Sequence, residues 1–243
     1  MVKCVVPCSG GKDSQASLQL ALQRYTKDEV LGLFHDTGFE HPLVYEHIAY
    51  MQDLYGIHIV TVSAGTVEEQ CIKHRRFPHA LSRFCTDRLK IRPSKKFYLD
   101  LAIKQGTGFE VWIGIRKAES AFRARKYKDF VGDEVYQPNE YMSSYPLKLG
   151  AAGVTFRLPI LDWSTADVFE FLQGRENPLY RLGFTRVGCF PCLAGGDKSK
   201  RQAFLFDDTG QKHLRIVQRL EGILGQTVWT GKNRFEGCSL CTI

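Results

Sequence analysis

Short apolar runs alternate along the chain with longer stretches whose apolar positions recur at helical spacing. Residues 3–6 read as a short buried strand, followed by a turn rich in glycine and serine. Ala16, Leu18, Leu20, Ala21 and Leu22 then predict a helix from about Asp13 to Arg24. Residues 30–34 predict a second strand that ends at His35-Asp36-Thr37-Gly38. A helix is predicted over Pro42–Tyr55, with Pro42 suited to a first turn. Residues 58–62 form the third predicted strand, 94–105 a helix and 111–115 the fourth strand. Ser164-x-x-Asp167 approximates a capping box ahead of Val168, Phe169, Phe171 and Leu172. In 212–224, Leu214, Val217, Leu220 and Leu224 share one helical face.

Strands that alternate with helices predict an α/β fold with a mostly parallel sheet flanked by helices. Ligands of such sheets bind beyond the carboxyl ends of the strands, so the loops after Val6, Phe34 and Ile115 are expected to line one site. The stretch 132–153, with glycine at both ends, reads as a long mobile loop. No run approaches the roughly 18 apolar residues of a membrane helix. The start, Met1-Val2-Lys3-Cys4-Val5-Val6-Pro7, is too short and too soon followed by glycines to read as a signal peptide.

A chain of 243 residues suits one large domain, or a domain with a small lobe. With 44% apolar and 24% charged residues it falls outside the disordered and collagen-like classes. A cytoplasmic enzyme or nucleic-acid-linked protein is the class that remains, with no membrane partner expected. The formal net charge of +7 is uneven: residues 70–128 hold 16 Lys/Arg against 4 Asp/Glu. Such a segment suits an anionic partner, a nucleotide or a nucleic-acid backbone, or else a set of solvated helix faces. Phe77, Phe84, Phe97, Tyr98, Phe122 and Tyr127 are interleaved with these bases. Some suit stacking on bases; at this spacing most read as core.

The strongest motif is Ser9-Gly10-Gly11-Lys12-Asp13-Ser14, set between strand and helix. Glycines let the main chain approach a phosphate, and amides at a helix start point toward it. Lys12 adds a point charge, Ser9 and Ser14 add hydroxyls, and Asp13 suits a helix cap or a magnesium ligand. The spacing is neither that of the G-x-x-x-x-G-K-[ST] loop nor that of G-x-G-x-x-G. After the fourth strand, Arg116 and Arg123 offer planar forks for phosphate or sulfate, with Glu119 placed to orient one of them; a structural ion pair is the alternative. Asp36 reads either as a turn former or as a contact to ribose or to metal-bound water.

Eight cysteines include two C-x-x-C pairs, Cys189/Cys192 and Cys238/Cys241. Cys4 and Cys71 read as buried small hydrophobes. The 45 residues between the pairs exceed the roughly 15–20 usual in a zinc ribbon. Thiolates also suit iron–sulfur clusters, so zinc, a cluster and redox thiols all stay open.

At the Ser9–Ser14 loop the chain resembles the PP-loop ATP pyrophosphatases, and within them the phosphoadenosine phosphosulfate reductase-like family. The resemblance extends to Asp36-Thr37-Gly38, to Cys85-Thr86-Asp87-Arg88-Leu89-Lys90-Ile91-Arg92-Pro93, and to Gly114-Ile115-Arg116-Lys117-Ala118-Glu119-Ser120 with Arg123. It continues through Pro159-Ile160-Leu161-Asp162-Trp163-Ser164, Asn177-Pro178-Leu179-Tyr180 and Gly188-Cys189-Phe190-Pro191-Cys192. It implies an adenine nucleotide alpha hydrolase-like domain over 1–180, with a cysteine-bearing lobe, 181–243, packed on it. It implies nucleotide contacts from Ser9, Gly10, Gly11, Lys12, Asp13, Ser14, Asp36, Arg116 and Arg123, with Lys12, Asp13, Arg116 and Cys238 in catalysis.

Also implied are ATP and Mg2+, and a 4Fe–4S cluster on Cys85, Cys189, Cys192 and Cys241, with zinc as the alternative. Thr86 stands where cluster-bearing sulfonucleotide reductases have a second cysteine, and the C-terminus lacks their Glu-Cys-Gly register. The activity implied is sulfur transfer: ATP is cut between the α and β phosphates and adenylates an acceptor. That acceptor is a nucleic acid, as in DNA phosphorothioation or tRNA thiolation, and a cysteine desulfurase or other donor supplies sulfur. The alternative is a sulfonucleotide reductase.

Overall fold

In the computed structural model, which describes residues 1–230, the chain opens with strand β1 (Cys4–Cys8) and helix α1 (Lys12–Arg24). Strand β2 (Val30–Asp36), helix α2 (Pro42–Tyr55) and strand β3 (His58–Ser63) follow. α2 has the expected bounds, because Pro42 fits its first turn and Gly56, at φ +61°, ends it in the left-handed region. Next come α3 (Val67–His74), α4 (Phe84–Thr86), a wide helical turn over Asp87–Ile91, and α5 (Arg92–Gln105). Strand β4 (Glu110–Trp112), α6 (Ala121–Lys126), β5 (Val135–Tyr136), α7 (Pro138–Tyr141), α8 (Leu147–Ala151) and β6 (Thr155–Arg157) complete the sheet region. The remaining helices are α9 (Thr165–Leu172), α10 (Asp197–Phe204) and α11 (Asp208–Leu224).

The strands form one sheet in the order β3-β2-β1-β4-β6-β5, parallel except for β5. The expected α/β architecture is therefore observed. Alternation along β1 serves both faces. Cys4, Val6 and Cys8 pack with Leu18 and Ala21 of α1 and Val44 and Met51 of α2. Val5 packs on the other face with Leu33, Val111 and Tyr98 and Ala102 of α5. Phe184, Val187, Phe190 and Ala203 join the first of these cores. A further cluster around Phe39, Cys71, Leu89, Phe204, Val217 and Leu220 binds α3, α10 and α11 together.

The chain leaves β1 toward β2 and β3, then returns to the other side of β1 as β4. This reversal is a topological switch point, where the loops diverge and leave a crevice. β1 pairs with β2 along its whole length, from Cys4 to Cys8, but with β4 only at Cys4 and Val5. Beyond Val5 the two strands part.

Two expectations are corrected. Residues 132–153 are not a long loop: they contain β5, α7 and α8, and Tyr141, Tyr145 and Leu149 are buried against Phe156. Aromatic burial, together with the Arg157–Asp133 ion pair (2.9 Å), ties down a stretch whose glycines suggested freedom. β4 ends at Trp112, short of Ile115, because the chain turns away toward α1 at Gly114. α3 is an omission with a readable signal, since Thr66 and Glu69 form a capping box at its start. Among the described residues, no helix is long and apolar enough to cross a membrane.

Candidate functional site

The Ser9–Ser14 turn sits at the carboxyl end of β1, at the mouth of the switch-point crevice. Gly10 has φ +72°, and a Cβ there would lie 2.8 Å from Val44 Cγ1 of α2. Only glycine lets the turn pass this close beneath α2. Hydroxyl groups close the turn. The Ser9 amide donates to Ser14 Oγ (3.1 Å), the Gly11 amide to Ser9 Oγ (3.3 Å) and the Lys12 amide to Tyr180 Oη (3.1 Å). The Gly11 and Lys12 amides thus face hydroxyl oxygens and not main-chain carbonyls. Burial, the larger cause, and Asp13 raise the Tyr180 phenol, which stays protonated.

Lys12 is buried, with its ammonium 2.9 Å from Asp13 Oδ2 and 5.4 and 5.7 Å from the Tyr180 and Phe169 ring centroids. Asp13 Oδ1 accepts from Arg116 Nε at 2.6 Å. Arg116 is 2% exposed, and its Nη1 also donates to Trp163 O and Thr165 Oγ1, both at 3.3 Å. Gly114 makes this contact possible: a Cβ there would lie 2.5 Å from Asp13 O. Behind the turn, Gln15 Nε2 donates to Arg175 O (2.8 Å), and Gln15 Oε1 lies 2.9 Å from His47 Nε2 of α2.

These placements revise several expected roles. Asp13 does not cap α1, whose N-cap Gly11 has no side-chain cap. Both Asp13 oxygens face cations of the chain, an arrangement that does not fit a magnesium ligand. Arg116 reaches the turn, but as the partner of Asp13. Glu119 pairs with the guanidinium of Arg123, and accepts only the main-chain amide of Arg116 (3.2 Å). Asp36 is the turn former: its Oδ1 accepts from the Gly38 amide (2.9 Å) and from Tyr45 Oη (2.8 Å). Nothing local in the sequence marks Tyr180 as the acceptor for an amide 168 residues away.

A cavity of about 150 Å³ fills the crevice beside the turn, lined by Pro7, Ser9, His35, Lys90, Ser94 and Ile113 among others. The ends of β1, β2 and β4 thus meet at one site, as expected. His35 Nε2 lies 3.0 Å from Ser94 Oγ. Burial first, and Lys90 second, push His35 down to about 4, so at neutral pH it is an uncharged hydrogen-bonding group.

Cys4 and Cys71 are buried, as expected of small hydrophobes. Cys85, Cys189 and Cys192 lie near one another beside Lys90. Burial and then Cys192 raise the Cys85 thiol, and burial raises Cys189 to about 11 against the opposing effect of Lys90. Cys189 Sγ also meets Thr37 Oγ1 (3.4 Å) and the buried carboxylate of Glu40 (3.7 Å). Among the described residues, no three His, Cys, Asp or Glu side chains converge on a point that would hold a metal. Cys238 and Cys241 lie outside the described residues.

Of the interleaved aromatics, Phe77, Phe84, Tyr98 and Tyr127 are core, whereas Phe122 on α6 is 67% exposed. It follows directly on the arginine loop and stands among exposed Arg125, Lys126 and Lys128.

The phosphoadenosine phosphosulfate reductase domain matches residues 3–194, a span that takes in the turn, the crevice and the Cys189/Cys192 pair. The chain belongs to that family. An uncharacterized protein of Methanocaldococcus jannaschii is 32% identical over 195 residues, which are 78% of this chain and 36% of the relative. An adenosine 5'-phosphosulfate reductase of Rhodococcus erythropolis is 25% identical over 67% of this chain and 58% of its own. A solved phosphoadenylyl-sulfate reductase from Candida auris has 18% identity and a TM-score of 0.49, covering 78% of this chain and 82% of that one. The chain spans between about a third and two thirds of the length of the curated relatives it matches first.

Asp13→Asn leaves two buried cations without their counter-charge. It is expected to lower the unfolding free energy by about 2–3 kcal/mol, at or below the usual range for a broken buried pair because Asp13 is partly exposed. Urea denaturation measures this, and a change within about 0.5 kcal/mol would show the bridge to be dispensable.

His35 and His47 are both pushed down to about 4, chiefly by burial, from an ordinary value near 6.5. Between these values the folded chain binds fewer protons than the unfolded chain. Their contribution to stability is therefore complete above pH 6.5 and is lost as pH falls toward 4. Imidazole NMR signals of both residues that already titrate near pH 6.5 in the folded chain would contradict this.

Proposed function

We propose that the chain is an ATP pyrophosphatase-type enzyme of sulfur transfer that adenylates a nucleic-acid acceptor. The observation that carries this reading is the Ser9–Ser14 turn itself. At a switch point it offers a buried lysine, with hydroxyl groups as the only partners, among the described residues, of the Gly11 and Lys12 amides. A neutral hydrogen bond of this kind contributes about 0.5–1.5 kcal/mol, and one to a phosphate oxygen is roughly twice as strong. Phosphate oxygens therefore displace the hydroxyls favourably.

With the β and γ phosphates in the turn, the nucleoside occupies the crevice, and Ser94 and neutral His35 offer hydrogen bonds there. An acceptor oxygen attacks the α phosphorus. The bond to the bridging oxygen breaks and pyrophosphate leaves, its charge stabilised by the amides and Lys12. Arg116 positions Asp13, which fixes the Lys12 ammonium. The terminal sulfur of a persulfide on a cysteine desulfurase or another donor then attacks the adenylated centre and displaces AMP, and a second thiol cleaves the resulting disulfide, leaving the thio group on the acceptor and the two thiols joined as a disulfide. Exposed Phe122 and its basic neighbours provide a stacking and phosphate-contact surface for a single-stranded acceptor.

The second reading is a sulfonucleotide reductase, favoured by the family itself and by relatives named adenosine 5'-phosphosulfate reductase. There the turn holds a sulfonucleotide, and thioredoxin-dependent release of sulfite identifies the activity.

Incubation with ATP is expected to yield AMP and pyrophosphate, and Lys12→Ala to abolish both while the far-UV spectrum is unchanged. ADP as product would overturn the pyrophosphatase reading. Phe122→Ala is expected to weaken binding of a single-stranded oligonucleotide by about 1–3 kcal/mol. Arg125→Ala should lower the salt-dependence slope of that binding by about 1. Fluorescence anisotropy over a salt series measures both, and unchanged affinity and slope would remove the nucleic acid from this surface.

A further inference from the structure

Residues 72–92 carry seven Lys/Arg and a single acid, Asp87. Asp87 is shared by Arg92 (2.8 Å) and Arg88 (3.8 Å). Arg76 is also engaged: its Nη2 donates to Ser82 Oγ (2.6 Å), and its guanidinium lies 5.1 Å from the centroid of the Phe84 ring. Lys73, Arg75 and Arg83 are exposed, and among the described residues no carboxylate pairs with them. Burial first, then Arg88, Arg76 and Lys73, lower the His74 imidazole, so these three cations gather around the end of α3.

From this basic ground a short turn projects. The His79 and Ser82 amides donate to each other's carbonyl oxygens (3.2 and 3.0 Å), closing the chain over Ala80 and Leu81. Phe77 and Pro78 are buried before the turn and Phe84 after it, and the Arg76–Ser82 bond braces its stem. Leu81, at the apex, is 95% exposed. A scattered exposed leucine is ordinary on a protein surface. Leu81 differs because a braced turn holds it out, with unpaired Arg75 and Arg83 on either side along the chain. Its side chain adds no packing to the fold.

A partner must therefore offer spread negative charge and a slot for one apolar side chain. Stacked bases between phosphate backbones offer both. Proteins that kink or open a duplex insert Leu, Ile, Phe or Met between base steps, while arginines and lysines hold the phosphates. A protein interface surrounds its apolar anchor with further close packing, whereas the surroundings of Leu81 are cationic.

We propose that the 79–82 turn is a wedge for base-paired nucleic acid: Lys73, Arg75 and Arg83 hold the phosphates, and Leu81 enters the stack and parts adjoining base pairs. The inference rests on the nucleic-acid acceptor of the proposed function, for which it supplies the step that frees a single strand. Chemistry on a base requires that base to leave the stack. The same stretch of backbone continues into Cys85 and then into Lys90 of the crevice, so the wedge is joined directly to the candidate site.

The test uses the whole chain, without ATP, and a DNA duplex and an RNA duplex of one sequence. Each carries a central 2-aminopurine, whose fluorescence rises when its stacking neighbours are lost. Binding is expected to raise the fluorescence of at least one duplex. Leu81→Ala is expected to abolish the rise and leave the salt-dependence slope of binding unchanged, and Leu81→Met, which keeps a long apolar side chain, to retain the rise. Lys73→Ala, Arg75→Ala and Arg83→Ala are each expected to lower the slope by about 1. A rise that survives Leu81→Ala, or a duplex that binds without any rise, would overturn the wedge. Failure to bind either duplex would overturn it as well, and would leave this surface to an acidic protein. Cleavage of ATP to AMP and pyrophosphate, and single-strand binding lost in Phe122→Ala, depend on other residues, so they separate failure of the wedge from failure of the proposed function.

Discussion

Asp13 lies between two cations that the fold brings together from far apart in the chain. Lys12 is its neighbour on α1, and Arg116 comes from the loop after β4. Taking a guanidinium this deeply out of water is tolerable only with a carboxylate at hydrogen-bond distance. The bridge therefore fixes the start of α1 against that loop, and Gly114 lets the two backbones touch. One carboxylate cannot neutralise two cations. The residual positive charge sits beside amides held only by hydroxyls, and this is the physical basis for an anion at the turn.

The sheet explains why that charge is accessible at all. Had β4 paired with β1 as far as β2 does, strand backbone would close the space beside Ser9. Pairing instead stops at Val5, and Pro7, which has no amide proton, lies just beyond. The thiols of Cys85, Cys189 and Cys192 stand at another side of the same neighbourhood, facing Lys90 and Glu40. The turn and the thiols thus stand on adjoining loops, while α6 carries the exposed aromatic and basic surface.

Much of this was legible wherever the determining signals are local. Pro42 and Gly56 bracket α2, and the Ser164/Asp167 box forms with both its hydrogen bonds (2.7 and 3.2 Å). The turn could be found because strand, glycines, lysine and helix are contiguous. The partners within the site could not. Arg116 meets Asp13 across 103 residues, and Cys189 meets Glu40 across 149, and neither distance leaves a periodic trace. Glu119 was readable as a partner for one of the two arginines of its loop, and burial decides which: the buried guanidinium of Arg116 goes to Asp13, and Glu119 pairs with the more exposed Arg123. β6 escaped notice because three residues are too few to show alternation.

The bond from the Lys12 amide to Tyr180 Oη carries a thermodynamic obligation. An oxygen that takes over this amide must evict the phenol, so that oxygen and the phenol of the 177–180 segment compete for a single amide proton. By linkage, whatever holds the phenol more tightly in place weakens the incoming oxygen by the same factor that the incoming oxygen loosens the phenol. Tyr180 is in this sense an internal stand-in for the proposed ligand, whose hold on the turn would be set in part by residues that it never touches.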